Sequence, residues 1–147
     1  MIRMVVFLSL LATAALPGWA ALGGPAESVV ADQVKFQATR AVVENQAYTV
    51  HELSGGDGTV IREYVTPAGK VFGVSWTGPT IPNLSQLLGS YNSEYQNTLR
   101  AKPGRRRVAV VHNADLVVEN GGHMRAFHGR AYLESMLPAG VPQETVK

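Results

Sequence analysis

The chain has no cysteine. Disulfides, redox pairs, thiol nucleophiles and thiolate metal sites are therefore excluded, and so is an N-terminal lipid-anchored cysteine. Stability has to come from packing. Excess charge is missing too. The formal net charge is +2, and Arg3 contributes one of those charges. Beyond the N-terminal stretch no run is apolar enough to span a membrane, which takes roughly 20 residues. There is no internal repeat and no low-complexity tract. Neither a Gly-x-Ser-x-Gly elbow nor a His-x-x-x-His pair occurs, so two common signatures of hydrolytic and metal chemistry are absent.

What is present begins with Arg3, an apolar run from Met4 to Leu16, a Pro17-Gly18 break and the small-x-small site Gly18-Trp19-Ala20. Positive end, short apolar core and cleavage site, in that order, make a secretory signal peptide. The run is too short for a membrane anchor, and proline breaks it where a span would have to continue. Residues 1–20 are expected to be removed between Ala20 and Ala21. Residues 21–147 are expected to form a single exported globular domain, a size that buries a core without staples.

Residues 21–27 are small and breaker-rich and read as an irregular leader. Val30, Val34, Ala38 and Val42 recur every four residues, which predicts a helix over 28–44 with Ser28 at its start. A β-meander follows, with strands at 47–53, 59–66 and 70–77. Thr66-Pro67-Ala68-Gly69 reads as a hairpin turn with a glycine bulge. Its register would pair Tyr64 with Phe72 and Arg62 with Val74. Val60, Tyr64, Phe72, Val74 and Trp76 would then share the core face, with Arg62 snorkelling among them. Leu84, Leu87, Leu88, Tyr91, Tyr95 and Leu99 mark a long amphipathic helix over 83–100, with Asn83 and Gln86 placed for capping. Strands return at 108–111 and 116–119. Asn120-Gly121-Gly122 reads as a hairpin turn, and 123–133 as the partner strand. The tail after Leu137 reads as loose. The expected fold is α+β: a mostly antiparallel sheet of about five strands, with the long helix on one face and a second, N-terminal helix beside it.

The segments Gly58–Trp76, Leu87–Tyr91 and Val118–Tyr132 together resemble an exported proteobacterial family, the domain of unknown function two-eight-four-four. The resemblance covers the whole of the expected mature chain. It implies a Gram-negative exported protein with no assigned activity, cofactor or catalytic residue, so no site carries over from it.

The residues themselves offer few chemistries. His51, His112, His123 and His128 do not share a ligand spacing, and His123 and His128 fall on opposite faces of a regular strand. They read as surface or edge histidines, and no metal or cofactor is expected. Glu63, His51 and His123 could supply an acid and a base, but no nucleophile or oxyanion hole accompanies them. Arg62-Glu63 reads first as a cross-strand ion pair or a solvated pair. The glycines of 54–58 and 121–122 read as turns, since neither opens a helix in phosphate-loop fashion. Arg105-Arg106-Arg107 is a candidate anion patch, with lipopolysaccharide phosphates, acidic glycans or anionic lipid as available targets. Export argues against nucleic acid. Arg62, Glu63, His123 and Arg125 are the candidate ligand- or partner-binding residues.

Two functions follow from this reading. One is a non-enzymatic binding module of the periplasm, engaging an envelope protein or anionic envelope component through a sheet face or edge. The other is a small enzyme or ligand carrier with a cleft between helix 83–100 and the sheet. A filled helix–sheet interface favours the first. An open cavity lined by Arg62, Glu63, Tyr91 or His123 favours the second.

Overall fold

The computed structural model describes residues 22–101 and 108–147. Its strands are β1 (Thr39–Glu44), β2 (Thr49–Ser54), β3 (Val60–Val65), β4 (Val71–Gly78), β5 (Ala109–His112), β6 (Leu116–His123) and β7 (Ala126–Leu133). They form one antiparallel sheet in the order β1-β2-β3-β4-β7-β6-β5. The helices are α1 (Ser28–Lys35), α2 (Leu84–Leu88) and α3 (Asn92–Ala101). No described helix is long and apolar enough to cross a membrane.

The expected fold is corrected in two places. The sheet has seven strands where about five were expected, because the helix predicted over 28–44 stops at Lys35 and its second half becomes β1. The four-residue stripe was misleading: Val30 and Val34 are 49% and 72% exposed. Gln37 takes the left-handed conformation, φ 50°, usual just past a helix end. The β-branched run beyond it then pairs with β2, so strand pairing overrides the helical period. The expected long helix over 83–100 is likewise not continuous. A 3-10 turn over Gly89–Tyr91 separates α2 from α3, and Gly89 sits at φ 52°. Asn83 does cap α2, accepting from the Ser85 and Gln86 amides, but the Gln86 side chain turns inward instead of back to the cap.

Register brings a third correction. Val65 pairs with Val71 as the Thr66–Gly69 turn demands, but Tyr64 pairs with Gly73 and Arg62 with Ser75. The extra residue is Phe72, a bulge that throws its ring to the opposite face. Ile61, Val65, Val74 and Trp76 thus pack with Leu53, Leu87, Leu88 and Tyr95 under the helices. Tyr64 and Phe72 pack on the other face with Val117, Tyr132 and Val146. The last hairpin turns at Met124-Arg125, since His123 still pairs with Ala126, and not at Asn120–Gly122.

Both expected loose ends are tied down. Leu22 is buried, and its N–H donates to the Leu87 carbonyl at 3.0 Å. Gly23 and Ala26 donate to Val71 and Gly69 at 2.8 and 2.9 Å. The segment after Leu137 forms a strap over the sheet face away from the helices, with Val146 0% exposed.

Candidate functional site

One row of neighbours crosses the sheet on the helix side: Val42, His51, Glu63, Val74, Ala131, Val118 and Val111. Glu63 is its anomaly, a carboxyl group 1% exposed in an apolar layer. Polar company reaches it from the helices. α1 turns Asp32 inward, one helical turn after buried Val29, and α2 turns Gln86 inward beside Leu87. The Gln86 amide donates to the Asp32 carboxyl. Burial first, then the hydrogen bond and repulsion from Asp32, pushes the Glu63 carboxyl up to about 9. Glu63 therefore keeps its proton at neutral pH. Burial raises Asp32 as well, opposed by Glu63, Gln86 and Lys35. Burial and the nearby Arg40 charge lower His51 and favour its neutral form.

A buried acid of this kind serves a reaction only where substrate can reach it. Asp32 and Gln86 are as deeply buried as Glu63, at 1% and 3% exposed. The trio is closed off from solvent inside the fold.

The adjacent row lies on the opposite face: Ala41, Glu52, Arg62, Ser75, Arg130, Glu119 and Val110. Two ion pairs flank Ser75, Arg62–Glu52 at 2.8 Å and Arg130–Glu119 at 2.7 Å. Each arginine spends a further N–H on the strap. Arg130 donates to the carbonyls of Gln143 and Val146 at 3.2 and 3.3 Å, and Arg62 to that of Lys147 at 3.5 Å. The Tyr64 hydroxyl donates to the Lys147 carbonyl at 2.7 Å, and Tyr132 to Gln143 Oε1 at 2.7 Å.

The candidate residues read from sequence are not brought together. Arg62 holds the strap face, Glu63 is sealed on the other, and His123 and Arg125 sit exposed at the β6–β7 turn. Arg125 carries that turn at φ 66°. Arg105, Arg106 and Arg107 lie outside the described residues. Among the described residues no three metal-ligating side chains converge. His112 lies 3.4 Å from Glu134 at the sheet edge. Sequence reasoning missed Asp32 and Gln86 as partners of Glu63. The available signal was Ile61-x-Glu63-x-Val65, a carboxylate at a period-two core position.

Surface grooves lie elsewhere among the described residues. One of about 410 Å³ runs between Phe36, Leu53, Ile61, Asp57, Thr80 and Asn83. Its carboxylate is already committed: Asp57 accepts from the Thr59 amide and hydroxyl at 2.9 Å each, and those bonds hold it below the usual carboxylate range. A second, of about 530 Å³, lies beside Gly23, Ser85 and Tyr91. A third, of about 400 Å³, lies along the strap between Val108, His128 and Arg130. None opens onto the Glu63 trio.

No curated protein and no solved structure matches the chain. The sheet, its two ion pairs and the strap up to Val146 fall within residues 18–146, which match a family model, and the chain belongs to that family: protein of unknown function, DUF2844.

Proposed function

We propose that this protein is exported to the periplasm of a Gram-negative bacterium and works there as a non-enzymatic interaction module. The observation that carries this reading is the filled interface between helices and sheet. Val74, Trp76, Leu87, Leu88 and Tyr95 are all 3% exposed or less, so the centre of that layer is filled, and the grooves beside Asn83 and Tyr91 lie at its margins. The alternative of an enzyme or ligand carrier needs an opening there, lined by Arg62, Glu63, Tyr91 or His123. Those residues are dispersed over two faces and a hairpin tip. A surface that recognises an envelope protein or anionic envelope component needs no such cleft.

Export is supported by the order of Arg3, apolar run and small-x-small site. The position of Leu22 fits cleavage before Ala21, because a later cut would remove a buried anchor. Arg105–Arg107 is the proposed contact for an anionic component. The test is crosslinking in intact cells, followed by periplasmic extraction and mass spectrometry of captured proteins and lipids. The reading expects a mature N-terminus at Ala21 and a specific envelope adduct. A full-length chain retained in the inner membrane would overturn export. Turnover of a small molecule by the purified protein would overturn the non-enzymatic reading.

A further inference from the structure

β1 is a free edge. β2 bonds one of its sides, and among the described residues no strand lies along the other. All six residues, Thr-Arg-Ala-Val-Val-Glu, are exposed. Val42 and Val43 are 47% and 55% exposed. Edges are normally blunted by proline, charged side chains (lysine above all), a bulge or shortness. β1 has no proline, its pairing with β2 runs without a register shift, and its two charges, Arg40 and Glu44, are opposite in sign. The other edge, β5, is only four residues long. Just beyond it, Asn113 is tied to α3 through Glu94 at 2.8 Å and Thr98 at 3.0 Å.

The hydrogen-bond phase says which groups of β1 are unpaired. Asn45 N–H donates to the Tyr48 carbonyl at 2.9 Å, closing the β1–β2 hairpin. Bonding alternates along an antiparallel strand, so Val43, Ala41 and Thr39 bond to β2. The N–H and C=O groups of Arg40, Val42 and Glu44 point outward. The 2.8 Å bond from Gly55 N–H to the Thr59 carbonyl sets the phase of β2 against β3 and agrees.

We propose that this edge pairs with the same edge of a second copy of the chain, antiparallel, about a two-fold axis at Val42. In that register Val42 bonds to Val42, and Arg40 of each copy stands opposite Glu44 of the other. Registers centred on Arg40 or Glu44 would set like charges face to face, which opposes pairing. The interface is isologous, so one charge match is made twice. The two sheets become continuous, and the exposed valines, Val42 and Val43 of each copy, gain cross-strand neighbours on the two faces. This pairing does not depend on what the protein binds in the envelope.

The test is sedimentation velocity of the purified protein over a concentration series. The wild type should dimerise reversibly. Arg40→Glu and Glu44→Arg should each weaken the dimer by at least about tenfold, since each makes two like-charge pairs. The double swap R40E/E44R should restore it. Both side chains at issue are exposed, and unchanged melting of each variant shows that the fold is kept. In the cysteine-free background, oxidation should crosslink Val42→Cys, whose Cα atoms would lie about 5.5 Å apart. It should not crosslink Val110→Cys on the opposite edge. A monomer at every concentration, a double swap that fails to restore the dimer, or equal crosslinking at both edges would each overturn the proposal.

Discussion

Glu63 of β3 and Asp32 of α1 are two buried carboxyl groups close enough to raise the Glu63 titration, and the Gln86 amide donates to Asp32. The arrangement joins sheet, first helix and second helix at one point. Ionising Glu63 there would set two carboxylates against each other out of water.

The sign of the pH dependence follows. The Glu63 carboxyl is raised from 4.5 to about 9 in the fold. Its contribution is fully present at low pH, near the unfolded value, and is lost as pH rises towards the folded one. The melting temperature should therefore fall between about pH 5 and pH 9, with the raised Asp32 acting in the same direction. Glu63→Gln keeps a donor for Asp32 and carries no titrating group. At pH 8 it should gain about 1–3 kcal/mol over the wild type, the cost scale of an imperfectly satisfied buried polar group. Its melting curve should be flatter over the same window. Melts at several pH values check this, and parallel curves for variant and wild type would reject the raised titration of Glu63.

Leu88 is 0% exposed at the centre of the helix-side core, whereas Val34 on α1 is 72% exposed. Leu88→Ala should cost about 2–5 kcal/mol. Val34→Ala should stay within about 0.5 kcal/mol. Urea unfolding of the two variants compares a stripe that packs with a stripe that only looked as if it should.

Gly129 pairs with Trp76 across β4 and β7. A Cβ there would lie 2.3 Å from the indole ring and 2.6 Å from the Glu119 carbonyl oxygen. The carbonyl belongs to a paired strand and cannot move aside cheaply. Gly129→Ala should therefore destabilise by about 1–3 kcal/mol or more, with a changed near-ultraviolet signal from Trp76. Full stability with an unaltered Trp signal would mean that the ring does not lie over this glycine.

How far the sequence was legible can be judged from these same residues. Leu87, Leu88, Tyr95 and Trp76 were readable as core because each repeats a helical or strand period beside apolar neighbours. The Thr66–Gly69 turn was readable because glycine supplies the positive φ, 76° at Gly69, that the turn needs. Phe72 was assigned to the wrong face because a one-residue bulge inverts side-chain direction while leaving the apolar pattern intact. Residues 39–44 were misread because β-branched runs satisfy two periods at once, and only the partner strand decides between them. Glu63 was misread for a related reason. The choice of face put it outside, and nothing local reveals that Asp32 and Gln86, 31 and 23 positions away in the chain, come to meet it.

The strap was the least legible element, and it carries the last prediction. Val146 fits over Gly73, where a Cβ would lie 2.8 Å from its Cγ2 atom, and it packs against Tyr64, Phe72 and Tyr132. Arg130 holds its carbonyl from below. One apolar side chain thus pins a segment whose other contacts are part-exposed hydrogen bonds. Val146→Ala removes about two methylene equivalents and should cost roughly 1–2 kcal/mol. Val146→Asp places a carboxylate among aromatic rings, a larger penalty that the segment can relieve by lifting off. Protease cleavage within 138–147 should then be faster by at least about tenfold, as local opening becomes easier. The β3–β4 amides under the strap should lose protection from hydrogen exchange, while those in the helix-side core keep theirs. Unchanged cleavage and exchange in Val146→Asp would show that the arginine and tyrosine hydrogen bonds hold the strap without the valine.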